Sequence, residues 1–304
     1  SQLNSLGNAA VNAGELDVAA AYYRRALAIF VKVRGPDAVA TALVSRNLAR
    51  AEIAAGHLAE ADKLVEPTLA SLTKSFGPEH VEVTRALGDI AMLRRKQGRF
   101  DDARTAAERV LEIKTKVQGP THPEIADPLI ELGMESVTRG DPAQALPLFR
   151  RALDIRSKAL GAAHVLTQEA TNRLAGALAA LGRCAEAQPL LATARTALDK
   201  LGDDGLPFLA EALTISGTCD VVAGRAEQAA ATLARALELQ IKVKAPAVDR
   251  GSTRWPLARA LWARGQHQAA VAAATTAEQE LTGDADGARD RSAAHAWLAA
   301  HRAD

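Results

Sequence analysis

The apolar positions of this chain are organised around evenly spaced glycines. Gly14, Gly56, Gly98, Gly140, Gly182 and Gly224 stand 42 residues apart, and Gly265 follows 41 later. Five residues beyond each stands an alanine: Ala19, Ala61, Ala103, Ala145, Ala187, Ala229 and Ala270. With 68 alanines in 304 residues, seven matches in seven would arise by chance roughly three times in a hundred thousand, so the period is a property of the chain. Seven residues before each glycine lies a small residue: Gly7, Ala49, Ala91, Gly133, Ala175, Gly217 and Ala258. Eight before lies a large aliphatic (Leu6, Leu48, Ile90, Leu132, Leu174, Leu257), with Ser216 the one exception. Two antiparallel helices approach closely only where side chains are small, so the pattern predicts helical hairpins in which the glycine ends the first helix, A, and the alanine lies in the second, B. Glycine at the reversal can take φ > 0 without a Cβ penalty.

A second mark has the same spacing. Gly35-Pro36, Gly77-Pro78, Gly119-Pro120 and Gly161-Ala162 separate one hairpin from the next, and the mark becomes Asp203-Asp204 and then Ala245-Pro246. Proline early in a helix is tolerated because its missing N–H has no intrahelical partner there. The A helices are predicted near 1–13, 38–55, 80–97, 123–139, 164–181, 206–223 and 254–264, the last starting locally at Pro256. After the polar turn run Thr282-Gly283-Asp284-Ala285-Asp286-Gly287, residues 288–301 read as one more helix. Its predicted buried face is Ala293, Ala296, Trp297 and Ala300, placed to cover the apolar end of the last hairpin.

Leu132-Gly133, Gly140, Ala145, Phe149 and Ala152 resemble the tetratricopeptide (TPR) consensus nearly position for position, as do Leu6-Gly7, Gly14, Ala19, Tyr23 and Ala26. The 42-residue period is longer than the usual ~34 and is similar to the repeat of kinesin light chains and many bacterial relatives. The inter-repeat phrase typical of that subgroup appears as Phe76-Gly77-Pro78-Glu79-His80 and Gln118-Gly119-Pro120-Thr121-His122-Pro123, with a worn copy at Leu160-Gly161-Ala162-Ala163-His164. The resemblance implies an all-α fold, a right-handed superhelical α-solenoid of about seven TPR hairpins plus a C-terminal capping helix. The repeats run over about 1–34, 35–76, 77–118, 119–160, 161–202, 203–244 and 245–281, with the turn and cap in 282–304.

Composition fits helices: hydrophobic residues make up 48% and aromatics only 3%, an imbalance supplied by Ala and Leu. A net charge of +1 supplies no field to attract a polyphosphate backbone, so no nucleic-acid partner is expected. No stretch approaches 18 uninterrupted apolar residues, so no membrane partner is expected either. Cys184 and Cys219 are too few for a disulfide scaffold or zinc site and read as two buried thiols, which suits a reducing cytosol and a cytoplasmic location. The chain begins without Met, already in a helical pattern, as expected of a fragment of a longer polypeptide.

Nucleotide-binding, zinc-protease and hydrolase motifs are missing from the sequence, so neither catalytic residues nor cofactors are expected. His80, His122 and His164 recur in register, but stacked repeats separate such positions by roughly 8–10 Å, too far to share one metal ion, and a structural role at the start of helix A is expected. Asp101-Asp102 and Asp203-Asp204 fall at turns, where aspartate caps helices.

The TPR resemblance implies ligand contacts from helix A positions facing away from helix B. By register these are Asn4, Asn8 and Asn12, then Arg46 and Arg50, then Arg85, Met92, Arg95 and Lys96. Asp127, Ile130 and Met134 follow, then Glu169 and Asn172, then Glu211 and Thr214. The groove would thus be basic over repeats one to three and acidic in the middle, fitting an extended acidic segment held by Arg forks with Asn side chains on its backbone. In the alternative reading Arg46 pairs with Asp89 on the neighbouring helix and the rest form solvated pairs. Trp255, Arg259 and Trp262 share one face of the seventh helix A, either as packing under the cap or as a second contact site. The expected function is a non-catalytic protein- or peptide-binding scaffold, the interaction module of a larger signalling protein such as a TPR-bearing Ser/Thr kinase. Peptide sensing and structural self-assembly are the alternatives.

Overall fold

The structure is a computed structural model and describes residues 2–301. Among them every regular element is helical. In chain order the α-helices are α1 (Gln2–Asn12), α2 (Leu16–Arg34), α3 (Val39–Ala55), α4 (Leu58–Phe76), α5 (Val81–Lys96), α6 (Phe100–Gln118), α7 (Ala126–Arg139) and α8 (Pro142–Leu160). They continue as α9 (Val165–Ala180), α10 (Cys184–Asp199), α11 (Leu206–Val222), α12 (Ala226–Lys242), α13 (Ala247–Ala263), α14 (His267–Glu280) and α15 (Ala288–His301). Odd-numbered helices from α1 to α13 are the A helices and even-numbered ones the B helices, paired as α-solenoid hairpins.

The register glycines turn the chain as their spacing requires. All seven have positive φ, from 69° at Gly14 to 100° at Gly140. At Gly56, φ 83° and ψ 7° place a left-handed residue just past α3, and its N–H closes onto the Glu52 and Ile53 carbonyls. The seven register alanines that follow are all at most 1% exposed.

Between the two helices of a hairpin, volume is traded position by position. A Cβ on Gly133 would lie 2.7 Å from Phe149 Cζ, one on Gly7 2.8 Å from Tyr23 Cζ, and one on Gly217 2.9 Å from Leu233 Cδ2. In each case the partner stands 16 residues later, on the B helix. Where the A helix instead carries alanine, the same offset brings Val65, Ala107, Leu191 or Ala274, so no repeat opposes a Cβ with an aromatic ring.

The helices pack as two units, Ser1–Leu132 and Gly133–Asp304. In the first, Ala19, Ala20, Tyr23 and Leu48 form one core cluster and Ala42, Leu72, Val83 and Ala86 another. Here ionic groups are buried at the junctions between repeats. Glu52 on α3 is fully buried and bonds Arg24 on α2 at 2.6 Å and His57 at 2.8 Å. One repeat later the signs are exchanged, and buried Arg94 on α5 bonds Asp62 and Glu66 on α4.

The second unit packs around Leu198, Leu213 and Leu239, and around Leu233 and Leu257. Its turn after α14 reaches α7, where Thr138 Oγ1 donates to Asp286 Oδ1 at 2.8 Å. The cap helix α15 buries Ala294 and Leu298 with Trp297 part-buried, whereas Ala293, Ala296 and Ala300 are exposed. The expected face was therefore one residue out of phase, because Leu298 rather than the alanines fills the space over Leu281 and Ala277.

Two further expectations are corrected. Helix α13 begins at Ala247, not near 254, because Pro246 precedes its first turn and Pro256 is accommodated inside it. Cys184 and Cys219 are not free thiols but are joined by a disulfide between α10 and α11. Gly202–Val222 is apolar and long enough by composition to cross a membrane, but half of its most apolar stretch is buried. It packs against α9, α10, α12 and α13.

Candidate peptide-binding groove

The site in the first unit is built by three A helices standing side by side. A groove of about 350 Å³ is lined by Asn4 of α1, Phe30 of α2, Leu43, Val44, Arg46 and Asn47 of α3, and Glu82 of α5. The helices present these residues because Leu48, Ala49, Ile90 and Ala91 are turned inward, leaving the opposite stripe of each helix A open. Asn47 Nδ2 donates to Asn4 Oδ1 at 3.1 Å, so two amides from adjacent repeats meet at the groove wall. Each keeps further donors and acceptors for a ligand main chain.

The charges in the groove are partly spent on one another. Arg46 Nη1 lies 3.3 Å from Glu82 Oε2, with both side chains about one-sixth exposed or less. Glu82 Oε1 accepts from exposed Arg85 at 2.7 Å. Arg46 Nε is buried with no hydrogen-bond partner among the described residues. Arg46 thus pairs with Glu82 rather than with Asp89, whose own Oδ2 has no such partner. Burial pushes the Asp89 carboxyl up to about 6, with Arg46 and Arg50 pulling it down and Glu82 pushing it further up. Arg50 remains exposed and acts on both Asp89 and Tyr23, the latter raised mainly by burial of its hydroxyl.

The remaining sequence-derived positions separate into groove-facing and packed. Asn12 is exposed and Met92 part-buried. Asn8 is turned to helix B, where it accepts from the Tyr23 hydroxyl at 2.6 Å. Arg95 is 5% exposed and its Nε bonds Glu131 at 2.6 Å, so it is packed away from a ligand. Asn172 is fully buried and donates to the Phe208 carbonyl at 2.8 Å and to Glu211 at 3.2 Å, which makes it a bracket between α9 and α11. The acidic middle is likewise neutralised, with Glu169 bonded to Arg156 at 2.9 Å and Glu211 to Arg173. Register alone shows which side of a helix a residue occupies, but not that a long side chain will fold back onto a neighbour.

Trp255 is 8% exposed and packs with Ala258, Ala274, Leu281 and Leu298 under the cap, so it offers no surface anchor. Trp262 is part-buried, stacked on His267 at 4.0 Å and edge-on to Trp297 at 5.1 Å. Arg259 is exposed, its guanidinium 6.0 Å from the Trp255 ring centroid. The three recurrent histidines are helix caps: Nδ1 of His80, His122 and His164 accepts from the N–H of Glu82, Glu124 and Leu166 at 3.2, 3.3 and 3.2 Å. Asn47, one residue from Arg46 and on the wall of the same groove, was not among the residues expected from register. Its signal was its place beside Arg46 on helix A, opposite Asn4.

Stacked helical hairpins with an open stripe of A-helix side chains define a repeat scaffold. The family profile described as Tetratricopeptide repeat matches residues 1–74, 55–116 and 82–158, and the chain belongs to this family. A search of curated protein sequences finds no match. Among solved structures, the nearly identical TPR-like repeats assigned to a kinesin light chain of Podosopora anserina are 25% identical, with TM-score 0.55 over 66% of this chain and 94% of that one. The Rap protein complexed with Competence and Sporulation Factor shares 13% identity and a TM-score of 0.60 over 99% of this chain and 96% of its own. PlcR of Bacillus thuringiensis, in complex with the peptide PapR7 and DNA, is 14% identical with TM-score 0.54 over 86% and 96%. At these last two identities the likeness is one of fold.

Proposed function

We propose that the chain is a non-catalytic scaffold that takes an extended peptide segment of acidic character in the groove of its first three A helices. The observation that carries this reading is the groove itself. Its lining brings apolar Phe30, Leu43 and Val44 together with the amide pair Asn4 and Asn47 and with Arg46, and Arg50 stands exposed one turn further along α3. An apolar ligand side chain gains by burial against such a lining, main-chain groups bond the amides, and a ligand carboxylate competes with Glu82 for Arg46. The complex of PlcR with the peptide PapR7 supports a peptide-sized ligand on this fold. In this reading the chain is the interaction module of a larger signalling protein.

Selection from a displayed library of extended peptides tests the proposal. Acidic sequences are expected to be enriched by the wild-type chain and lost by Arg46→Glu/Arg50→Glu, with the unfolding temperature of that variant little changed. Undiminished capture of the same sequences by the variant would remove the groove from the account.

A further inference from the structure

The disulfide joins Cys184, the first residue of α10, to Cys219 in α11, with their Cα atoms 5.5 Å apart. It therefore spans two repeats, and the sequence holds no third cysteine with which it could reshuffle. Cys184 stands two residues after Gly182 and Cys219 five before Gly224. The same two places elsewhere are held by Leu16 and Ala51, Leu58 and Leu93, Pro142 and Ala177, and Ala226 and Ala260, with Phe100 and Glu135 the one pair containing a charge. The bond thus occupies a stacking position that most other repeats fill with two apolar side chains.

The surroundings of the two sulfurs oppose exchange from either side. Cys219 is fully buried, while Cys184 is part-exposed. A reductant thiolate that attacks Cys184 Sγ must break the S–S bond and leave the electron pair on Cys219 Sγ, inside packed helices where an unpaired anion is penalised. The neighbouring Asp220 is itself a buried carboxylate, bonded to Arg225 at 2.6 Å, and adds no positive charge to help. The opposite route would leave the charge on Cys184, where the positive end of α10 favours it, but requires attack on the buried sulfur. The reachable sulfur has the poor leaving group, and the good leaving group is attached to the unreachable sulfur.

We infer that Cys184–Cys219 is a permanent staple between the fifth and sixth repeats, closed and kept in an oxidising compartment, and that the chain works in such a compartment. This replaces the reducing location expected from a pair of thiols, since disulfides persist in oxidising surroundings and are rare where glutathione keeps thiols reduced. Reduction by a dithiol such as dithiothreitol would proceed through a mixed disulfide at Cys184. The second thiol of the reagent then expels Cys184, and two electrons and two protons pass to the cysteines.

Three measurements test this. The protein from its own cells is denatured in N-ethylmaleimide without reductant and weighed by mass spectrometry. No alkylation is expected, and two alkylated cysteines would overturn the inference. The oxidised protein is then treated with dithiothreitol with and without denaturant. Reduction of the folded protein should be slower by on the order of 100-fold, because it waits for the helices to open, and equal rates would overturn the protected staple. Finally, Cys184→Ala/Cys219→Ala reproduces the Ala226 and Ala260 pair that the fold already accommodates. It should melt below the oxidised protein and be indifferent to reductant, whereas an unchanged melting temperature would show that the bond holds nothing.

Discussion

Replacing Gly133 by alanine sets two effects of opposite sign against each other. Alanine is the better helix former by about 1 kcal/mol, so an isolated helix would gain. In the hairpin the new Cβ would lie 2.7 Å from Phe149 Cζ, 2.9 Å from Cδ1 and closer still to Cε1. Carbon atoms prefer roughly 3.5–4.0 Å, so the ring must retreat by about 1 Å. Phe149 is 1% exposed, so the ring would retreat against packed neighbours. Overpacking of this kind costs about 1–3 kcal/mol, leaving a net loss of up to about 2 kcal/mol after the helix gain. At about 2–4 °C per kcal/mol for a unit of this size, the melting temperature should fall by up to about 8 °C. Phe149→Leu alone should also destabilise, by leaving a cavity beside Gly133. The double variant Gly133→Ala/Phe149→Leu recreates the pair Ala175 and Leu191, both fully buried one repeat later. A double-mutant cycle read by urea unfolding should therefore show a favourable coupling of about 1 kcal/mol or more. A rise in stability for Gly133→Ala, or simple addition of the two single effects, would refute the claim that these positions trade volume.

Two further outcomes follow from strained or buried groups. Lys244 is the one non-glycine with positive φ among the described residues, at 52°, 42 residues after Gly202. Lys244→Gly should raise stability by about 1 kcal/mol through relief of the left-handed backbone, and a lowered melting temperature would contradict this. Asp89 is held up at about 6 against an ordinary 3.8, so the folded state grips its proton more tightly than the unfolded chain. Its favourable contribution is complete below the unfolded value and lost as pH rises through about 6, a swing of at most about 3 kcal/mol. Asp89→Asn should flatten that dependence in denaturation curves taken between pH 4 and 7, and parallel curves for the two proteins would reject it.

The repeat pattern specifies the backbone further than the side chains. Glycine and alanine at fixed spacing report where rods touch, which is a strong geometric demand, and helix boundaries such as 288–301 followed directly. Helix α13 escaped because Pro256 resembles a start signal as much as an accommodated interior proline. The groove was legible as a side of helix A, and Asn4 and Arg46 do line it. The burial of Arg95 and Asn172 was not, since each is fixed by a partner about 36 residues away whose side chain conformation no local pattern encodes. The disulfide was hidden by a count: two cysteines look too few to matter until their places in the repeat are compared.

The exchanged ion pairs at Arg24–Glu52 and Glu66–Arg94 have a consequence for how this array could grow or shrink. Excision of one 42-residue module, such as 49–90, would bring half-exposed Arg24 opposite buried Arg94 and take away the carboxylates that now pair that buried cation. Neighbours in the first unit are therefore not interchangeable parts: each recognises the one that follows it by sign, and the order of modules is written into the joints.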